Sequence, residues 1–101
     1  MAGRIGYVYL MANRRNGTLY TGVTSDLARR VWEHREGHGS AFVREWGCTR
    51  LVWFARFDRI TDALAHEKRM KKWPRRYKIN VIEETNPAWR DLWFDMGGWT
   101  G

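Results

Sequence analysis

One cysteine and two prolines are all that this 101-residue chain holds of the residues that most restrict a backbone. The lone thiol, Cys48, cannot close an internal disulfide, and no Cys-His spacing matches a zinc site. A reducing compartment, as in a cytoplasm, is therefore expected. No apolar run approaches the roughly 20 residues that cross a bilayer as a helix, so no membrane partner is expected. The start, Met1-Ala2-Gly3-Arg4-Ile5-Gly6, has no apolar region behind its single charge and does not read as a signal peptide. There is no internal repeat, low-complexity tract or convincing linker. Acidic residues are scarce too: eleven Asp and Glu face eighteen Lys and Arg, a formal charge of +7. That surplus favours a polyanionic partner, with nucleic acid the commonest for a basic domain. Charge alone is equally compatible with no specific partner.

Apolar residues, by contrast, are plentiful at 44% of the chain, enough for one folded domain over residues 1–101. Its core is expected over about residues 5–92, with a Trp-rich tail over 93–101. Seven tryptophans read mainly as efficient filling of a small core. One or two exposed rings could instead stack on unpaired bases.

Residues 6–12 are β-rich and apolar on both faces, as suits a central strand. Asn16-Gly17 signals a hairpin, and residues 18–23 return as an antiparallel strand. Thr24-Ser25-Asp26 caps a helix over about 26–36, stopped by Gly37 and Gly39. Residues 50–57 form a third strand. Asp58 or Thr61 opens a second helix running to about Trp73, and Pro74 fits the first turn of a third, through about Glu84. The expected fold is α+β, a three-stranded antiparallel sheet flanked by helices in the order ββαβαα.

Two helices carry polar groups on apolar stripes. Leu27, Arg30, Val31 and His34 share one face of the first, spaced i, i+3, i+4 and i+7. Ile60, Ala63 and Leu64 set the stripe of the second, and Glu67 continues it. Each polar residue has an ordinary structural reading. Arg30 could snorkel to the rim, His34 could be a hydrogen-bonded core histidine, and Glu67 could salt-bridge Arg30. Their recurrence on two helices suggests a cleft, reached if both stripes pack on one face of the sheet. A hairpin loop with an even residue count would put Tyr9 and Tyr20 on one face and an odd loop or a bulge would separate them, a choice the residues leave open. Strand tyrosines are also ordinary core residues. Gly22, inside a strand, marks a bulge or a close backbone approach. Residues 68–78 carry seven basic side chains, readable as a solvated helix face or as a track of phosphate contacts. Lys68, Lys71, Lys72, Arg75, Arg76 and Lys78 would make that track, and Trp73 and Tyr77 would favour single-stranded or distorted nucleic acid if exposed.

In order and spacing, these residues resemble the GIY-YIG nuclease superfamily. The likeness is narrower to its small single-domain bacterial members, similar to the catalytic domain of the excision-repair nuclease. It rests on Tyr7-Val8-Tyr9, Tyr20-Thr21-Gly22 with Arg30 and His34 following, Glu67 within His66-Glu67-Lys68-Arg69, Asn80, and Asn86-Pro87-x-Trp89-x-Asp91-Leu92. The first triplet departs from Gly-Ile-Tyr, and Thr21 stands where isoleucine is named. The resemblance implies hydrolysis of DNA phosphodiesters with one divalent metal, Mg2+ or Mn2+, and a setting such as repair or recombination. It assigns water activation to Tyr9 or Tyr20, charge stabilisation to Arg30, proton relay to His34, the sole protein metal ligand to Glu67, and support to Asn80. Larger relatives choose substrates with appended modules. Here a preference for branched, flapped or single-stranded DNA, or a protein partner for targeting, is expected instead.

Three functional classes follow. The first is a metal-dependent DNA endonuclease, with weak or no sequence preference. The second is a catalytically inactive, basic nucleic-acid-binding module on the same fold. The third is an interaction protein using Trp89, Trp93 and Trp99. The residues leave open RNA against DNA, the oligomeric state and the identity of the base.

Overall fold

In the computed structural model, which describes residues 4–96, the strand expected at the centre is there. Strand β1 (Gly6–Ala12) lies between β2 (Leu19–Thr24) and β3 (Arg50–Phe57), both antiparallel to it. Val8 through Ala12 are fully buried, so both faces of this strand are covered, and its sequence is apolar on both. The β1–β2 connection spans residues 13–18, an even count. Asn16 turns it with a left-handed backbone at φ 55°, a conformation asparagine tolerates. The register sets Tyr9 opposite Gly22 and Met11 opposite Tyr20, so Tyr9 and Tyr20 share a face, the outcome of the even loop.

Helix α1 (Leu27–Arg35) starts at Asp26, whose side chain accepts from the Arg29 N–H. Helix α2 (Ala41–Trp46) was not anticipated, and it makes the observed order ββααβαα. Ser40 caps its start and Gly47, at φ 69°, ends it in the left-handed region. Those two caps were the only signal, because six residues are too few to show a helical stripe. Helix α3 (Ile60–Lys71) begins after Arg59 with no side-chain cap, so neither Asp58 nor Thr61 caps it. Helix α4 (Arg75–Thr85) follows Pro74, which stands at the cap position and not within the first turn.

The two stripes do not pack on one face. Leu27, Val31 and His34 of α1 lie over Tyr9, Met11 and Leu51, joined by Val43 of α2. Ala63 and Met70 of α3, with Ile82 of α4, lie over Val8, Leu10 and Ala12 on the opposite face. A bulge between Leu10 and Met11 brings Val52 and Trp53 both to this second side. Leu64 is exposed, so the buried α3 stripe runs Ala63, Glu67 and Met70.

The segment after α4 is stitched to β3 by polar side chains. Asn86 Nδ2 donates to the carbonyls of Val52 (3.1 Å) and Arg90 (2.9 Å). Asp91 Oδ1 accepts from the N–H groups of Leu51 and Trp93, while its other oxygen pairs with Arg35. Trp89 is buried, and its indole donates to Glu83 at 2.8 Å. Most tryptophans thus fill or border the core, while Trp32 and Trp46 are exposed. Burial of Trp89 and Trp93 removes them from any partner surface, and Trp99 lies outside the described residues. No helix among the described residues is long and apolar enough to cross a membrane.

Candidate active site

Tyr9 points from the middle of β1 towards α1, and its ring lies across the backbone of Gly22. A Cβ on residue 22 would sit 2.4 Å from the Tyr9 hydroxyl and ring edge, so only glycine fits. From above, His34 Nε2 meets the Tyr9 hydroxyl at 2.8 Å. Both residues are almost fully buried. Gly39 closes over the far side of the imidazole, where any Cβ would lie 2.0 Å from Nδ1. That nitrogen has no hydrogen-bond partner, an exception of the kind that buried polar atoms show at functional sites.

The surroundings fix the charges. Burial, and then Tyr20 nearby, push the Tyr9 hydroxyl well above the usual tyrosine range, so it keeps its proton. Arg30, beside that hydroxyl, opposes the shift without reversing it. His34 is pushed down to about 4, by burial first and by Arg30 second, so it is neutral at pH 7. With the imidazole proton on Nδ1, Nε2 accepts from the Tyr9 hydroxyl, and Tyr9 is wired to a neutral base. Arg30 keeps its charge, held 3.2 Å from Glu33 with its side chain 39% exposed. Glu33 is drawn below the carboxylate range by Arg30, and by Arg29 after it. It is a residue the sequence reading did not single out.

Tyr20 extends the cluster outward. Its ring lies 6.3 Å from Tyr9 and stands edge-on to His34 at 5.3 Å, centroid to centroid. Glu67 approaches from the other side of the sheet. It is 8% exposed, and Oε2 binds Lys71 Nζ at 2.8 Å. Glu67 therefore pairs with Lys71 and not with Arg30. Lys71 in turn feels Tyr20, which lies on the edge strand between the two groups. Tyr9, Tyr20, Arg30 and His34 thus form one contact cluster, and Glu67 is joined to it around β2 through Lys71.

Asn80 is exposed on α4, and no hydrogen bond of its side chain ties it to this cluster. Within the basic track, Lys68, Lys72 and Arg76 are exposed. Arg75 is engaged differently, donating to the Asn16 (2.8 Å) and Gly17 (2.6 Å) carbonyls of the hairpin loop. Lys78 is half-buried, and its ammonium is shifted down by burial and by Lys71 and Arg75 nearby. Tyr77 is exposed, whereas Trp73 packs edge-on against His66.

No group of three His, Cys, Asp or Glu side chains that could hold a metal occurs among the described residues. Glu67 is a single carboxylate with one oxygen taken by Lys71. That donor set cannot cage an ion, but it fits Mg2+, which keeps several waters and binds through one or two carboxylates plus substrate phosphate.

The sequence profile of the GIY-YIG catalytic domain matches residues 5–80. A UPF0213 protein of Haloquadratum walsbyi is 38% identical over 78 residues, covering 77% of this chain and 86% of that protein. One of Staphylococcus saprophyticus is 31% identical over 78 residues, covering 77% and 94%. The solution NMR structure of a UPF0213 protein from Bacillus halodurans superimposes with a TM-score of 0.54 at 30% identity, covering 87% of this chain and 93% of that one.

Proposed function

The chain belongs to the GIY-YIG catalytic domain family, a nuclease fold, and from that premise we propose a divalent-metal-dependent endonuclease that hydrolyses DNA phosphodiesters. The observation that carries the reading is the bond between Tyr9 and a neutral His34 beside Arg30. A firmly protonated tyrosine is a poor base by itself. Coupled to a neutral imidazole, it can take a proton from the attacking water at Oη while its own moves to His34 Nε2. As the P–O bond breaks, the imidazolium hands its proton back to Tyr9 while Tyr9 gives its own to the leaving oxygen, which restores neutral His34 for the next turnover. Arg30, permanently charged and part-exposed, faces the non-bridging oxygens and offsets the charge that builds on them. Glu67 would hold Mg2+ or Mn2+ with the phosphate, and the Lys71 ammonium at 2.8 Å orients that carboxylate. When bound, the cation supplies Lewis acidity at the phosphoryl group.

Assays of purified wild type beside Glu67→Ala test this, with labelled single-stranded, duplex, flap and junction DNA in magnesium, manganese or chelator. Cleavage by wild type alone, and only with metal, is expected, while both proteins bind DNA. Equal cleavage by both sinks the assignment of Glu67. Binding without cleavage by either, steeply weakened by salt, establishes the basic binding module instead.

A further inference from the structure

A recess of about 240 Å³ opens at the edge of β2, lined by Leu19, Tyr20, Thr21, Phe42, Lys71 and Lys78. It is smaller than the roughly 300–1,000 Å³ of sites for drug-sized ligands, which suits one nucleotide unit. Its chemistry is of three kinds. Phe42 lies 5.9 Å from Tyr20, and Trp46 continues the row 6.3 Å beyond, at 41% and 50% exposure for Phe42 and Trp46. Lys71, whose ammonium also holds Glu67, and Lys78 line the same recess from α3 and α4. Thr21, on the same edge strand, has a buried hydroxyl without a hydrogen-bond partner.

Resting on the nuclease reading above, we propose that this recess is a subsite for an unpaired nucleotide next to the scissile phosphate. The base stacks on Phe42, and its 3′ or 5′ neighbour on Trp46. Lys71 and Lys78 take the flanking phosphate. Aromatic faces in a row beside cations are what single strands require, because each unstacked base offers a π-face. A base within a duplex has both faces covered by its neighbours and could not use the row. The subsite runs into the Tyr9–His34 cluster through Tyr20, so a strand seated on it places a phosphate at the site of chemistry. The enzyme accordingly selects single-stranded segments, flaps or splayed ends over continuous duplex.

Binding is measured in chelator by fluorescence anisotropy, with labelled oligothymidylate and a labelled blunt-ended duplex as probes. Cleavage is followed separately with metal. Phe42→Leu and Trp46→Ala are expected to weaken oligothymidylate binding by about tenfold each, within the range for one lost base stack, and to change duplex binding less than twofold. Phe42→Tyr, which keeps the ring, is expected to bind like wild type, separating stacking from packing. Replacing one thymidine by an abasic unit should cost wild type as much as Phe42→Leu does, and cost that variant nothing further. Equal losses on both probes, or none on either, overturn the subsite even if the protein cuts DNA. The expected losses in a protein that never cuts uphold it and remove the nuclease reading alone.

Discussion

On the side of the sheet covered by α3 and α4, the buried apolar side chains are Val8, Leu10, Ala12, Val52, Ala63, Met70, Ile82 and Trp89. On the side covered by α1 and α2, Tyr9 and His34 stand among Met11, Leu27, Val31, Val43 and Leu51. The first is an apolar core with the buried carboxylate of Glu67 at its rim. The second is core and site at once: the groups that fill it are also those whose protons are displaced from their ordinary range. Burial does both jobs there, because the low dielectric that favours packing also disfavours the charged forms. The apolar face should therefore govern stability and the mixed face chemistry, a division that substitutions can break.

The largest effect is expected from Tyr9→Phe. Loss of one hydroxyl should slow single-turnover cleavage by about 10²–10⁴-fold, the usual share of acid–base catalysis. The melting curve should shift by only about 1 kcal/mol, for the His34 nitrogen left unpaired. A large loss of stability with unchanged cleavage would reverse the division.

Trp89→Ala is the mirror experiment. Emptying the site of a fully buried indole is expected to cost about 3–5 kcal/mol in urea unfolding. Cleavage per folded molecule should hardly change, measured where both proteins remain folded.

A pH series sharpens the same contrast. His34 is depressed to about 4 in the folded protein, against about 6.5 in the unfolded chain. The unfolded state therefore binds the proton first as the solution is acidified. Stability is complete above about pH 6.5 and falls progressively towards pH 4, by about 3 kcal/mol from this residue. Urea midpoints across that window should show the slope, and His34→Gln should remove its share. Equal slopes in the two proteins would contradict the burial-driven shift.

The smallest effect belongs to the solvent-facing side of α1. Arg29 pairs with Glu33 at 3.4 Å, but 65% of its side chain is exposed. Arg29→Ala is expected to change thermal stability by about 0.5 kcal/mol or less, and cleavage not at all. Glu33 keeps Arg30 as its partner.

The parts legible in the sequence share a cause. Strand β3 is where its β-rich run lies, and α1 begins at the cap residue Asp26, because both are set by neighbours along the chain. Alternation made a shared face for Tyr9 and Tyr20 conditional on the loop, and the even count that settles it is known only from the folded hairpin. The Leu27, Val31 and His34 stripe followed from helical spacing alone. Leu64 misled because a helical stripe drawn from four residues tolerates a one-position error in its edge. Helix α2, and with it Phe42, was hidden by its shortness.

Other features depended on elements meeting across space. The sequence could not assign α1 and α3 to opposite faces, since periodicity defines a helix's apolar side but not the surface it covers. It offered Arg30 as a partner for Glu67, whereas packing put them on different sides and left Lys71, one turn away, to take the carboxylate. Arg75 reads as a phosphate contact until the hairpin loop is seen beneath it. The residue set, the strand alternation and the surplus of positive charge were thus determined by the sequence itself, being local or additive. The protonation of Tyr9 and His34, the route from Glu67 to Tyr20 and the recess beside Phe42 were decided by the tertiary structure, because desolvation and proximity exist only once separate elements close around a group.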